Sequence, residues 1–264
     1  MHFTKMQGLG NDYLYVYGTV PEDAPSLSVR LSDRHFGPGS DGMIWISPSN
    51  KADFSMRIFN ADGSEARMCG NGIRCVGKYV YDKGYTDKTR LTIETLAGLR
   101  TLELHTAGGR VKTVTVEMGR AAVSPEKDLE VEGEKILCTP VDVGNPHAVL
   151  FVEDAEGAPL CTMGPKIEKH PDFPGGVNVE FIQVLKKNHM RMRVWERGSG
   201  VTLACGTGAC ASAAAAVSRG SCDPGTPIRV ELDGGVLNIE VSPQGDLRMT
   251  GPCEFVYEGD VELC

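Results

Sequence analysis

A segment in the first half of this sequence recurs in the second. Met56–Gly72 (MRIFNADGSEARMCGNG) aligns without a gap on Met192–Gly208 (MRVWERGSGVTLACGTG). The offset stays at 136 throughout (192 − 56, 205 − 69, 208 − 72). Met, Arg, Cys and two Gly coincide, and Ile58/Val194 and Phe59/Trp195 are near-equivalents. Upstream, Gly10-Asn11 matches Gly144-Asn145 at an offset of 134 (145 − 11), which leaves room for a short insertion. Matches kept in one order along the chain are the mark of a duplicated architecture. The chain is therefore expected to fold as two related halves.

Each half reads alike. Short β-branched or aromatic runs at 13–16, 43–46, 54–59, 111–116, 148–152, 180–184 and 190–195 predict strands. The stretches after each C-G-x-G, Ile73–Tyr81 and the Ala-rich Ala209–Ser218, predict helices. Lys83-Gly84 and Arg219-Gly220 stop both in the same way. The expected class is α+β: two pseudosymmetric lobes from an internal duplication, each a mostly antiparallel sheet wrapped around a central helix. The boundaries are placed at 1–120 and 121–251, with a polar linker near 119–135.

At 264 residues the chain is comfortable for two domains, each large enough for its own core. A net charge of −8 speaks against nucleic acid as a partner, since phosphate binding needs a basic face. The N-terminal MHFTKMQGLG lacks the apolar core of a signal peptide, and no run approaches a membrane span. The expectation is a cytoplasmic protein with neither nucleic-acid nor membrane partner.

Nine cysteines form no readable disulfide framework, and no C-x-x-C occurs. Cys138, Cys161, Cys222, Cys253 and Cys264 read as small buried or half-exposed apolar filler, and Cys75 and Cys210 as helix packing. Cys69 and Cys205 differ, because each stands where a strand-rich segment turns into a helix. A thiol there faces unpaired N–H groups and the positive end of the helix dipole, which can depress its pKa to about 3.5–7.5. The following Gly-Asn-Gly and Gly-Thr-Gly leave amides open to an anion such as a carboxylate. One such cysteine is more simply a packing residue. Two equivalent lobes facing each other across a cleft would instead bring two thiols to one carbon. Stereoinversion wants that arrangement, an acid on one face and a base on the other.

Taken together, Lys5–Asp12 (KMQGLGND), Phe59–Ser64 (FNADGS), Met68–Gly72 (MCGNG), Gly144–His147 (GNPH), Glu196-Arg197 and Ala204–Ala209 (ACGTGA) resemble the diaminopimelate epimerase family. The matches keep family order from near residue 5 to beyond 209. The resemblance implies a substrate held between two lobes, with the C-terminal stretch 252–264 completing the first. It also implies conversion of LL- to meso-2,6-diaminopimelate, on the route to lysine and peptidoglycan, by a homodimer that uses no cofactor and no metal. Cys69 and Cys205 are then the acid/base pair. The amides of Gly70, Asn71, Gly206 and Thr207 hold the reacting carboxylate. Asn60, Asn145, Asn178 and Arg197 grip the far amino-acid group; an Arg fork suits a carboxylate there. Asn11 and Glu196 face the reacting ammonium, and His147 and Glu196 tune the thiols. Asn11 also suits a plain turn, and His147 ordinary packing. Gly42 stands where some members carry Gln, so one substrate contact is missing or replaced.

Gly37–Gly42 (GPGSDG) fits a dinucleotide G-x-G-x-x-G literally, but a strand is expected after it, where that motif needs a helix. Two rivals remain. A proline racemase-like isomerase shares the thiol geometry without needing Asn60 and Arg197. A thiol redox or metal-binding module lacks the short-range Cys and His partners it would use.

Overall fold

The computed structural model describes residues 1–263, so the reading of Cys264 lies outside the described residues. The chain forms two compact units, one of Met1–Glu117 with the stretch from Gly251, the other of Met118–Thr250.

In the first unit the order is β1 (His2–Gly8), β2 (Asn11–Tyr17), α1 (Ala24–Ser32), β3 (Gly42–Pro48), β4 (Phe54–Asn60), β5 (Glu65–Ala66), α2 (Gly70–Asp82), β6 (Arg90–Thr95), β7 (Gly98–Ala107) and β8 (Arg110–Arg120). The second runs β9 (Ala122–Val123), β10 (Lys127–Val131), β11 (Glu134–Asp142), β12 (Pro146–Phe151), α3 (Leu160–Glu168), β13 (Asn178–Lys186), β14 (His189–Glu196), β15 (Gly200–Val201), α4 (Gly206–Ser218), β16 (Ile228–Leu232), β17 (Gly235–Val241) and β18 (Asp246–Pro252). Last comes β19 (Glu254–Asp260), which pairs antiparallel with β1 from His2↔Asp260 to Gln7↔Glu254.

Both units use one pairing scheme. Strands β2 and β3 run parallel, as do β4 and β6; the remaining pairs described for that unit are antiparallel. The counterparts β12/β13 and β14/β16 are likewise the parallel pairs of the second unit. The strands of each unit pack on a central helix, and α1 and α3 pack on them as well. Every residue of α2 from Gly70 to Val80 is buried, as is the alanine run of α4. Small side chains suit α4 to contact with strands all round, which explains a helix with no polar face. In α2, Lys78 and Asp82 pair at 3.0 Å out of solvent and bind the two backbone polar groups of Val111 (2.5 and 2.9 Å), which pins the helix to β8.

Three elements depart from expectation. Helices α1 and α3 join the single helix foreseen for each half. Pro165 and Gly164 inside α3 hide it from propensity, and α1 is short, with Pro in its first turn. The stretch 119–135 is no linker, because β10 and β11 pair there as a hairpin from Lys127↔Cys138 to Val131↔Glu134. Leu129 and Val131 point into the core while Asp128 and Glu130 face water, an alternation that polar composition masks. Cys161 is exposed, unlike the buried Cys75, Cys138, Cys210, Cys222 and Cys253. No helix among the described residues is long and apolar enough to cross a membrane.

Candidate functional site: two cysteine-capped helices

Both helices begin on a cysteine. Cys69 and Cys205 are the N-caps of α2 and α4, extended in backbone, and each sulfur accepts the amide three residues on, from Gly72 at 3.3 Å and Gly208 at 3.4 Å. The cap occupies one amide of the first turn; those of Gly70-Asn71 and Gly206-Thr207 lie beside it. The two ends are built alike and surrounded differently.

In the first unit the Cys69 thiol donates to Asn11 Oδ1 at 3.3 Å, and Asn11 Nδ2 donates to Asp41 at 2.8 Å. Asp41 also accepts the Asp12 amide and pairs with Arg34. Tyr13 shares hydrogen bonds with Asn11 and Cys69; burial, then the neighbouring Cys69 and Asp41, raise its phenol, so it stays a neutral donor. Asp12 is held from beneath by Lys5 and Arg34, each at 2.8 Å. Burial pushes its carboxyl up, but those two cations outweigh it and leave the group below the usual range. Asn60 stands at the end of β4, opposite Gly42 in register, and its side chain donates to Ser64 at 3.0 Å rather than toward Cys69.

In the second unit Asn145 donates to Thr207 Oγ1 at 3.4 Å and meets His147 Nε2 at 3.2 Å. His147 Nδ1 lies 2.7 Å from Glu180, with both side chains out of solvent. Glu196 hydrogen-bonds Thr202 and Cys205. Burial raises its carboxyl and Glu180 adds to the rise, against those two hydrogen bonds and His147. Asn178 accepts the Arg197 amide at 2.9 Å and donates to Pro146 at 3.3 Å, so both ends of its side chain are engaged.

The depressed thiol expected at both helix starts is corrected at Cys205. Burial lifts this thiol well above its ordinary range, and the Glu196 and Glu180 carboxylates lift it further, against the Thr207 hydroxyl and the Gly208 amide. A helix N-terminus is worth about 0.3–1 kcal/mol to an exposed charge, less than desolvation and two carboxylates can cost a buried one.

Sequence reasoning missed Tyr13, Asp41, Glu180 and Thr202. The duplication itself points to two of them. At the offsets of 134 and 136, His147 answers to Tyr13 (147 − 13) and Glu180 to Ile44 (180 − 44). A Cβ on Gly72 would meet Ile44 Cδ1 at 2.6 Å, and one on Gly208 would meet Glu180 Oε1 at 2.7 Å, so the same glycine admits a methyl in one unit and a carboxylate in the other. Asn178 answers to Gly42 (178 − 42). A Cβ at Gly42 would lie 2.2 Å from Phe59 O, so this backbone leaves no room for a side chain there.

The G-x-G-x-x-G lookalike follows α1 and leads into β3, the reverse of a nucleotide loop. Among the described residues no cluster of His, Cys, Asp and Glu is placed to hold a metal.

The family model described as diaminopimelate epimerase matches residues 3–124 and 139–256. Curated proteins named diaminopimelate epimerase are similar over the full length. One from Acetivibrio thermocellus is 48% identical, covering 100% of this chain and 99% of its own. Another, from Parabacteroides distasonis, is 51% identical with coverage of 100% and 98%. Solved structures share the fold at low identity. A hydroxyproline epimerase from Agrobacterium vitis has a TM-score of 0.76 at 18% identity, covering 98% of this chain and 91% of its own. A PhzF-family protein from Bacillus anthracis has a TM-score of 0.80 at 16% identity, covering 100% and 99%.

Proposed function

The chain belongs to the diaminopimelate epimerase family, and from that premise we propose that it inverts one α-carbon of 2,6-diaminopimelate, LL to meso, by proton transfer between Cys69 and Cys205. The observation that carries the reading is the duplicated cap, a cysteine at the N-terminus of each central helix with its sulfur on the helix's own amide.

In the forward sense Cys69 acts as the base. Asn11, Tyr13 and the Gly72 amide are neutral hydrogen-bonding groups beside it, and the buried Arg74 guanidinium favours its charged form. Cys205, lifted by burial and by Glu196 and Glu180, keeps its proton and serves as the acid. The C–H electron pair becomes enolate-like charge on the substrate carboxylate, where the amides of Gly70, Asn71, Gly206 and Thr207 stabilise it. The Cys205 proton then enters the opposite face. In the reverse reaction the roles exchange.

Asn11 and Glu196 face the reacting ammonium, and Glu196 with His147 governs the charge near Cys205. Asn60, Asn145, Asn178 and Arg197 read the far amino-acid group. That demand separates this reading from a proline racemase-like one, whose substrate has no such group. The substrate is a small molecule, and the protein is read as a cytoplasmic homodimer with neither nucleic-acid nor membrane partner. The net charge of −8 supports the part concerning nucleic acid.

The test is an assay with LL-diaminopimelate and no added cofactor, in D₂O under reducing conditions, with Cys69→Ala and Cys205→Ala alongside. Deuterium should enter the inverted product, and both variants should lose turnover. Full activity in either variant would refute the two-thiol mechanism. Absence of exchange and inversion in folded, reduced wild type would refute the substrate.

A further inference from the structure

Arg197 sits in the turn that joins β14 to β15, closed by the Ser199 amide on Glu196 O at 3.1 Å. Its own amide is held by Asn178, and its guanidinium donates through Nη1 to the carbonyls of Gly175 at 3.0 Å and Gly176 at 3.4 Å. The fork is thus fixed at one nitrogen while the side chain remains exposed. A guanidinium held at one edge has its remaining donors available for a carboxylate.

Glu168, the last residue of α3, clamps that turn from outside. One carboxylate oxygen accepts Trp195 Nε1 at 2.6 Å and the other the Gly198 amide at 3.0 Å, so residues on both sides of Arg197 share one acceptor. The packing beneath is equally close. A Cβ on Gly164 would lie 2.6 Å from Trp195 Cγ. One on Gly176, whose φ is +73°, would lie 2.8 Å from Arg197 Cδ.

The first unit lacks the device. At the same offset of 136, Glu168 answers to Ser32 (168 − 32), Trp195 to Phe59 (195 − 59) and Arg197 to Ala61 (197 − 61). What the duplication left symmetric serves chemistry on one carbon; what it left one-sided suits recognition of a group present at one end of the bound substrate.

We propose that Glu168, Trp195 and Gly176 are positioning residues that hold Arg197 in its carboxylate-gripping geometry, so that selection of the far amino-acid group depends on the end of α3. This rests on the reading that Arg197 grips that group. The test compares Glu168→Gln, Gly176→Ala, Arg197→Met and the double variant Glu168→Gln/Arg197→Met, with KM and kcat for diaminopimelate and a melting curve for each. Glu168→Gln keeps the side chain's shape but replaces one of its two acceptor oxygens with a donor. We expect Glu168→Gln and Gly176→Ala each to raise KM about tenfold while kcat stays within about twofold, because a uniform binding contact is loosened. The double variant should be no worse than Arg197→Met alone, since both changes remove one interaction. A Glu168→Gln protein with unchanged KM beside an impaired Arg197→Met, or effects that multiply fully in the double variant, would overturn the proposal. An unchanged KM in Arg197→Met would instead overturn the reading of Arg197, and the cradle with it.

Discussion

His147 Nδ1 stands 2.7 Å from Glu180 Oε1, and neither side chain touches solvent. The pair lies on the Cys205 side, where Glu180 contributes to the lifted thiol. Replacing Glu180 by Gln removes one of the charges that disfavour the thiolate. Alkylation of Cys205, followed by peptide mapping at a series of pH values, should begin at lower pH than in wild type. Unfolding by urea should cost about 1–3 kcal/mol less, the usual penalty for disturbing a buried hydrogen bond. An unmoved Cys205 profile would show that Glu180 acts on stability alone.

Tyr13 occupies in the first unit the place His147 holds in the second. Tyr13→Phe removes a neutral hydrogen-bond donor beside Cys69 without changing the size of the ring. Alkylation of Cys69 should shift to higher pH, that of Cys205 should stay put, and kcat should fall about tenfold. Equal shifts at both cysteines would point to a general loosening instead.

Gly72 and Gly208 answer to one another, yet alanine should not treat them alike. The new methyl at 72 would press on the Ile44 Cδ1 tip, which can swing aside. At 208 it would press on Glu180 Oε1 and crowd the Cys205 sulfur at 3.3 Å. Gly72→Ala should keep kcat/KM within about fivefold, whereas Gly208→Ala should lose about a hundredfold or more, since on the proposed two-thiol mechanism displacing Cys205 by about an ångström costs that much. Comparable losses would mean that the first turn of α2 is as tightly packed as that of α4.

Asp12 gives the first unit an acid-dependent contribution to stability. Burial alone would raise its carboxyl, but the hydrogen bonds and charges of Arg34 and Lys5 leave it depressed. A depressed carboxylate contributes stability in full above its unfolded pKa, about 3.9. That contribution is lost as pH falls through the lower, folded value. Asp12→Asn should therefore be less stable than wild type at pH 7, by about 1–2 kcal/mol in urea unfolding. The gap should narrow as the medium is brought toward pH 3. A gap that is constant with pH would assign the loss to packing.

Much of this architecture was legible in residues. The offset of 136 locates both central helices, and Lys83-Gly84 and Arg219-Gly220 mark where they stop. The helix starts were legible because Cys-Gly-x-Gly cannot continue a strand comfortably. What stayed hidden has physical causes. Glu180 lies in NVEFIQV, where a carboxylate in a strand reads as the wet face; here it is buried against an imidazole. The β10–β11 hairpin alternates too few apolar residues to stand out from its charges. The elevated Cys205 thiol depends on burial and on carboxylates from β13 and the end of β14, none of which lies next to it in sequence.

Strand β19 pairs with β1, whose other side pairs with β2, so two neighbouring strands of one sheet come from opposite ends of the chain. During synthesis on a ribosome, residues 118–250 emerge as one uninterrupted block and have every strand of their unit to hand. The unit that leaves the exit tunnel first must hold the outer edge of β1 open until the whole of the other has been translated. The half that starts earlier is the half that finishes later, and the interval between them is the time when its unpaired edge is exposed to other chains.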